Sequence, residues 1–169
     1  MELAALIISI VALVASTVVS GRAVMLARHS NSMPVLVEMF REHRSSYLAQ
    51  AREFVHSELS ACDLSNGLVG LPEDKRELVR DLAWFYDNLG ALVADGVVDI
   101  APVSGYLGGA VVKVWEDLWP LVEAERTKRQ SRGSDPQRWQ IYFENLYHLV
   151  KASPPQRSRA SQRLWRLSY

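Results

Sequence analysis

The chain has 169 residues, with 19 Lys+Arg against 19 Asp+Glu, 49% hydrophobic residues, one cysteine and four histidines. That balance excludes a disordered tail, a disulfide-stapled secreted module and a uniformly basic nucleic-acid binder, so nucleic acid is not an expected partner. The neutral total hides an asymmetry: residues 30–125 carry 7 Lys+Arg and 16 Asp+Glu, whereas residues 126–169 carry 10 and 2.

The first predicted element is Leu3–Gly21, 19 residues without a charge. A helix of that length rises roughly 28 Å, close to the hydrocarbon thickness of a bilayer. Glu2 precedes the run, and Arg22, Arg28 and His29 follow it, which is the reverse of a cleaved signal peptide. The sequence therefore predicts a transmembrane signal anchor with a basic flank over residues 1–27. Lipid is the expected partner of residues 3–21, and Arg22 and Arg28 are expected at the lipid surface. Retention of cations on the cytoplasmic side predicts a single-pass protein of the bacterial inner membrane, N-terminus outside and the remainder cytoplasmic. The single Cys62 is compatible with a reducing compartment.

A polar joint, Arg28–Ser32, should separate this anchor from a second helix that starts near Met33, with Ser32 as cap and Pro34 in the first turn, and runs to about Leu59. Phe40, Tyr47 and Phe54 recur at sevens on its apolar face. Ser65–Leu71 reads as a turn, and Pro72-Glu73-Asp74 opens a third helix that reaches Asp95. Leu78, Leu82, Phe85, Leu89 and Leu92 are spaced 4, 3, 4, 3, and Gly96 sits where a left-handed cap is needed. A short connection leads to a fourth helical region, Ile100–Arg132, which Pro120 should divide in two. Short connections imply antiparallel neighbours. Asp135-Pro136 opens a last helix that Pro154-Pro155 stops. No alternating run bounded by hairpin turns is present, so the expected class is all-α: the transmembrane helix, then an antiparallel bundle of about four helices over residues 28–152. Residues 153–169 form a basic tail, expected to be disordered.

The stretch Leu82-Ala-Trp-Phe-Tyr-Asp-Asn-Leu-Gly-Ala-Leu-Val-Ala-Asp-Gly-Val-Val-Asp99, with Val114-Trp-Glu-Asp-Leu-Trp-Pro120 and Glu125-Arg126, carries a resemblance. Over roughly residues 5–150 the chain resembles a bacterial family described only as a domain of unknown function. The motif core comprises Phe85, Tyr86, Leu89, Gly90, Gly96, Trp115 and Trp119. The resemblance implies small membrane proteins with a compact helical domain, and supplies no catalytic residue.

Candidate chemistry is sparse. Glu53 and His56 show the Glu-x-x-His spacing that di-iron bundles use, with Glu38 and Glu42 on the same expected helix, but the chain has no second such motif. Glu144 and His148 are spaced four apart instead. Cys62 has no histidine tied to it by a motif, and no phosphate loop, dinucleotide fingerprint or zinc pattern occurs, so no cofactor is expected. Gly105 and Gly109 form G-x-x-x-G in a 13-residue uncharged run, too short to span a bilayer, and read as close helix packing. Trp84, Trp115, Trp119 and Trp139 read as core residues. In the tail, Arg163, Trp165 and Arg166 combine cations with an aromatic and suit an anionic lipid surface. The opposed charges of body and tail suit a homo-oligomer or a cytoplasmic protein partner. The expected function is thus a membrane-anchored helical interaction or scaffold protein rather than an enzyme, with a small metal- or ligand-binding bundle around Glu53, His56, Phe85 and Tyr86 as the alternative.

Overall fold

The computed structural model describes residues 2–153, and the side chains of residue 10, of 12–21 and of 32–153. Among them every regular element is helical: α1 (Glu2–His43), α2 (Ser46–Ser57), α3 (Glu73–Ala94), α4 (Ile100–Ser131) and α5 (Ile141–Ala152), with single 3-10 turns at Leu59–Ala61, Gly67–Gly70 and Pro136–Arg138. The chain divides into two compact units, Met1–Phe40 and Arg41–Tyr169.

The first unit lies within α1. The predicted membrane crossing is corrected here, because among the described residues no helix is long and apolar enough to cross a membrane. The apolar run contains Ser16, Thr17, Ser20 and Gly21. The Thr17 hydroxyl donates to the Leu13 carbonyl at 2.8 Å, so this polar side chain is satisfied inside its own helix. The signal anchor, the single-pass topology and the inner-membrane location built on that crossing lose their support. The expected joint at Arg28–Ser32 is also absent: α1 is helical through Pro34, which is exposed, and the chain first breaks at Arg44-Ser45. There the Ser45 hydroxyl accepts from Leu48 N at 3.2 Å and caps α2.

The second unit is a four-helix bundle. α2 packs on α3 and α4, and α5 packs on α3 and α4, so the helices follow the cyclic order α2, α3, α5, α4. The short connection Asp95–Asp99 therefore does not join packed neighbours: α3 and α4 lie diagonally across the bundle with α5 against both. The apolar stripe of α3 is buried as its spacing predicts, with Leu82, Tyr86 and Leu89 fully inaccessible. Gly96 adopts φ +68°, and its N–H donates to the Val93 carbonyl at 3.1 Å, closing α3 as expected. α4 is one helix rather than two. Pro120 and Glu116 are both exposed, so the carbonyl deprived of its donor faces water, while Leu118, Leu121 and Val122 stay buried on either side. Asp135 caps only a single turn by accepting from Gln137 N, and α5 begins at Ile141, after Gln140 at φ 59°.

α5 is seated by two groups on α3. The carboxylate of Asp87 accepts from Phe143 N at 2.9 Å, supplying from another helix the N-terminal cap that Gln140 does not. Burial pushes the Asp87 carboxyl above its ordinary value, against the backbone hydrogen bonds and Arg126, which favour the anion. One turn along, Gly90 lets the α5 backbone approach: a Cβ there would lie 2.1 Å from the Tyr142 carbonyl oxygen. Arg126 of α4 completes the seat, donating to the Trp139 carbonyl at 2.9 and 3.1 Å and to Glu144 at 2.8 Å.

Candidate functional site

The motif aromatics form a continuous stack through the core. Tyr86 of α3 lies parallel to Phe143 of α5 at 4.8 Å, Phe143 meets Trp115 of α4 edge-on at 4.9 Å, and Phe85 meets Tyr86 edge-on at 5.2 Å. The stack ties both diagonal helices to α5, which is why Phe85, Tyr86, Leu89 and Trp115 are buried. His43 extends it, hydrogen-bonded to the Tyr86 hydroxyl at 3.0 Å. Burial, reinforced by Arg52, lowers the His43 pKa to about 4, and burial raises that of Tyr86 well above the ordinary phenol value. Both are neutral at pH 7, so the pair is a structural hydrogen bond.

Two expected core tryptophans are elsewhere. Trp84 is 55% exposed with the Arg80 guanidinium over its ring. Trp119 is 38% exposed and forms one wall of a cleft between α4 and α5. The cleft measures about 330 Å³ and is lined by Trp115, Glu116, Trp119, Glu144, Tyr147 and His148. The Trp115 ring is 5.7 Å from Trp119 and 5.9 Å from Tyr147, so π faces line it on both helices.

A second cleft, about 490 Å³, shares Glu116 with the first and is floored by Ser104, Gly105, Gly108 and Gly109. The glycine spacing was expected to mark close packing, but only Gly108 is packed, with a Cβ there 3.2 Å from Val150. A Cβ on Gly105 or Gly109 would meet nothing within 4 Å, so these two are the open floor. At Glu116, Tyr147 donates to the carboxylate at 3.3 Å, Lys151 donates to the Tyr147 hydroxyl at 2.9 Å, and Lys151 stands 3.6 Å from Glu116. The hydrogen bond to Tyr147 raises the Lys151 pKa. Both clefts lie along the α4–α5 pair, and Glu116 lines each of them. They present flat aromatic faces, a small-residue floor and fixed charges on the rim.

The other candidates lie apart from these clefts. His56 donates from Nδ1 to Asp117 at 2.5 Å, Lys113 donates to the other oxygen at 2.7 Å, and the Glu53 side chain is exposed. Burial opposes ionisation of Asp117, but the bonds from Lys113 and His56 outweigh it and hold its carboxyl below the ordinary value. Among the described residues no group of three or more His, Cys, Asp or Glu could hold a metal ion. The Cys62 thiol lies 3.6 Å from the Glu58 carbonyl. Arg22, Arg28, Arg163, Trp165 and Arg166 lie outside the described side chains, as does the tail from residue 154. Asp87, Glu125 and Arg126 were not singled out from sequence, although Glu125-Arg126 belongs to the motif. Glu125 accepts from Leu68 N at 3.2 Å and pairs with Arg129 at 3.4 Å, anchoring the turn at Gly67–Gly70 on α4.

The described residues form an all-helical four-helix domain, preceded by a long helix, with two clefts on one helix pair. Residues 1–152 match the family model described as Domain of unknown function (DUF4760), and the chain belongs to that family. No curated protein and no solved structure matches the chain.

Proposed function

We propose that the bundle is a protein-interaction module whose α4–α5 clefts dock a polypeptide segment. The observation that carries this reading is an open glycine floor and a half-exposed tryptophan wall in two clefts of the same helix pair that share Glu116. Exposed glycines in mid-helix cost stability, roughly 0.5–1 kcal/mol each relative to alanine, without any packing return at Gly105 or Gly109. They do leave room for another chain's side chains to approach the α4 backbone, while Trp119 and Tyr147 offer the aromatic contact area on which interfaces depend. Grooves between packed helices take helical or extended segments in this way.

An arrayed peptide panel tests the reading with wild type and the double variant Gly105→Leu/Gly109→Leu. The leucines fill the floor without meeting the core, so the variant is expected to fold and lose binding of peptides that wild type holds. If every bound peptide binds both proteins equally, the clefts are not the docking surface.

A further inference from the structure

We infer that α5 is a movable wall, opening as a unit from a strained hinge at Gln140 and widening both α4–α5 clefts as it does so. The inference rests on the clefts being a docking surface and adds what sets their width. Glu144, Tyr147, His148, Val150 and Lys151 are the α5 contribution to the two clefts, and all five travel with the helix.

The hinge carries two costs that exist only while α5 is docked. Among the described residues Gln140 is the one non-glycine at positive φ, 59°, a region that L side chains disfavour; the other turns of this kind use Gly67, Gly96 and Gly133. The residue is also 2% exposed, and its Oε1 is the buried side-chain polar atom without a hydrogen-bond partner among the described residues. A buried acceptor without a donor has lost its hydration and gained nothing in exchange. Once α5 leaves the bundle, Gln140 can return to an ordinary φ and its amide meets water. Both costs therefore fall on the docked state and raise the share of the open one.

The surroundings fix where the motion occurs. Before Gln140 the chain is clamped to α4: Arg126 donates twice to the Trp139 carbonyl, and the Arg129 guanidinium lies 5.6 Å from the centre of the buried Trp139 ring. After Gln140 α5 begins at once, with its first turn held to α3 through Asp87 and Phe143 N. Gln140 is thus the one residue between a segment fixed on α4 and a helix seated on α3, and rotation about its backbone bonds carries the whole of α5. Glu144, paired with Arg126, sits one turn from the hinge and moves least. Farther along, the polar ties to α4 are the exposed contacts of Tyr147 and Lys151 with Glu116 and one hydrogen bond at the helix end, from Ser104 to the Ser153 carbonyl. Burial of Phe143, Leu146 and Val150 holds α5 shut, and the strained hinge opposes it.

Native-state hydrogen exchange of the full chain, read amide by amide at low urea concentrations, is the test. The amides of Leu146, Tyr147 and Val150 are expected to share one exchange rate, about tenfold or more above that of Leu82 and Leu89 in α3, with a weaker dependence on urea because one helix is exposed rather than the bundle. Two variants probe the hinge. Gln140→Met keeps the side-chain volume and removes the unpartnered oxygen, and Gln140→Gly accepts the positive φ. Each is expected to slow exchange in α5 about tenfold, and slowing by either one supports the hinge. Equal rates and urea dependence in α5 and α3 overturn the inference, as does a graded rise toward Ala152, which is fraying of the helix end. Fast exchange in α5 that neither variant slows overturns the hinge. The peptide panel reports separately on docking: an α5 that opens as described, with no peptide lost on filling the glycine floor, refutes the docking surface and leaves the moving helix standing.

Discussion

Gly90→Ala should be among the most damaging single-methyl changes in the bundle. The added Cβ falls 2.1 Å from the Tyr142 carbonyl oxygen and 2.6 Å from its carbon, and both are backbone atoms that no side-chain rotation can move. α5 must retreat, which costs about 2–3 kcal/mol by analogy with overpacked cores. The retreat also stretches the 2.9 Å bond from Phe143 N to Asp87. Weakening that cap adds about 1 kcal/mol. Alanine returns about 0.8 kcal/mol in helix propensity, leaving a net loss of roughly 2–3 kcal/mol. Urea unfolding followed by circular dichroism measures it, with Gly109→Ala as the control. A Cβ on Gly109 meets nothing within 4 Å, so the control should gain about 0.5–1 kcal/mol. If Gly90→Ala proves as stable as wild type, α5 does not approach α3 as closely as described, and the account of its seat fails.

Three further outcomes are expected. His43, with its pKa lowered to about 4 by burial and by Arg52, binds its proton less readily folded than unfolded. Its contribution is therefore present above about pH 6.5 and lost as pH falls toward 4, by roughly 1–2 kcal/mol once its partial exposure is discounted; His43→Gln should flatten that part of the stability profile, and an unchanged slope would refute the assignment. Arg126→Met removes both donors from the Trp139 carbonyl and the partner of Glu144, and should cost about 2–3 kcal/mol in thermal or urea unfolding, more than Lys113→Met at its exposed site. Glu125→Ala releases the turn at Gly67–Gly70, and hydrogen exchange should speed at Leu68 N while the amides of α3 remain protected.

The sequence showed the bundle helices best where one periodic pattern met one clear cap. The stripe from Leu78 to Leu92 closed by Gly96 is the clearest case, and the structure reproduces it. Proline misled twice, for one reason. Pro34 suggested a helix start and Pro120 a helix break, yet both lie on exposed faces inside continuous helices, and exposure is a tertiary property. The true break at Arg44-Ser45 has neither glycine nor proline, so only the capping serine hinted at it. The uncharged run at the start suggested a membrane crossing that the described helices do not support. The clefts were half visible. Gly105, Gly109 and Trp119 were singled out, but as packing residues, because nothing in the spacing tells which glycine α5 will cover. That choice falls on Gly108, one residue away, and turns its neighbours into a floor. Asp87 escaped notice because its partner is 56 residues distant.

The cyclic order of the bundle bears on how the protein is made. α5 contributes the ring, Phe143, that joins Tyr86 on one diagonal helix to Trp115 on the other, and of the four bundle helices it is the last in chain order to leave the ribosome. Until it emerges, α3 and α4 have no common partner on that side, and the inward faces of both stand open to water. Vectorial synthesis thus cannot finish this core stepwise from the N-terminus. The nascent chain waits with an unsealed apolar cleft until α5 inserts, and a premature stop anywhere within α5 should yield a product that chaperones hold and proteases clear.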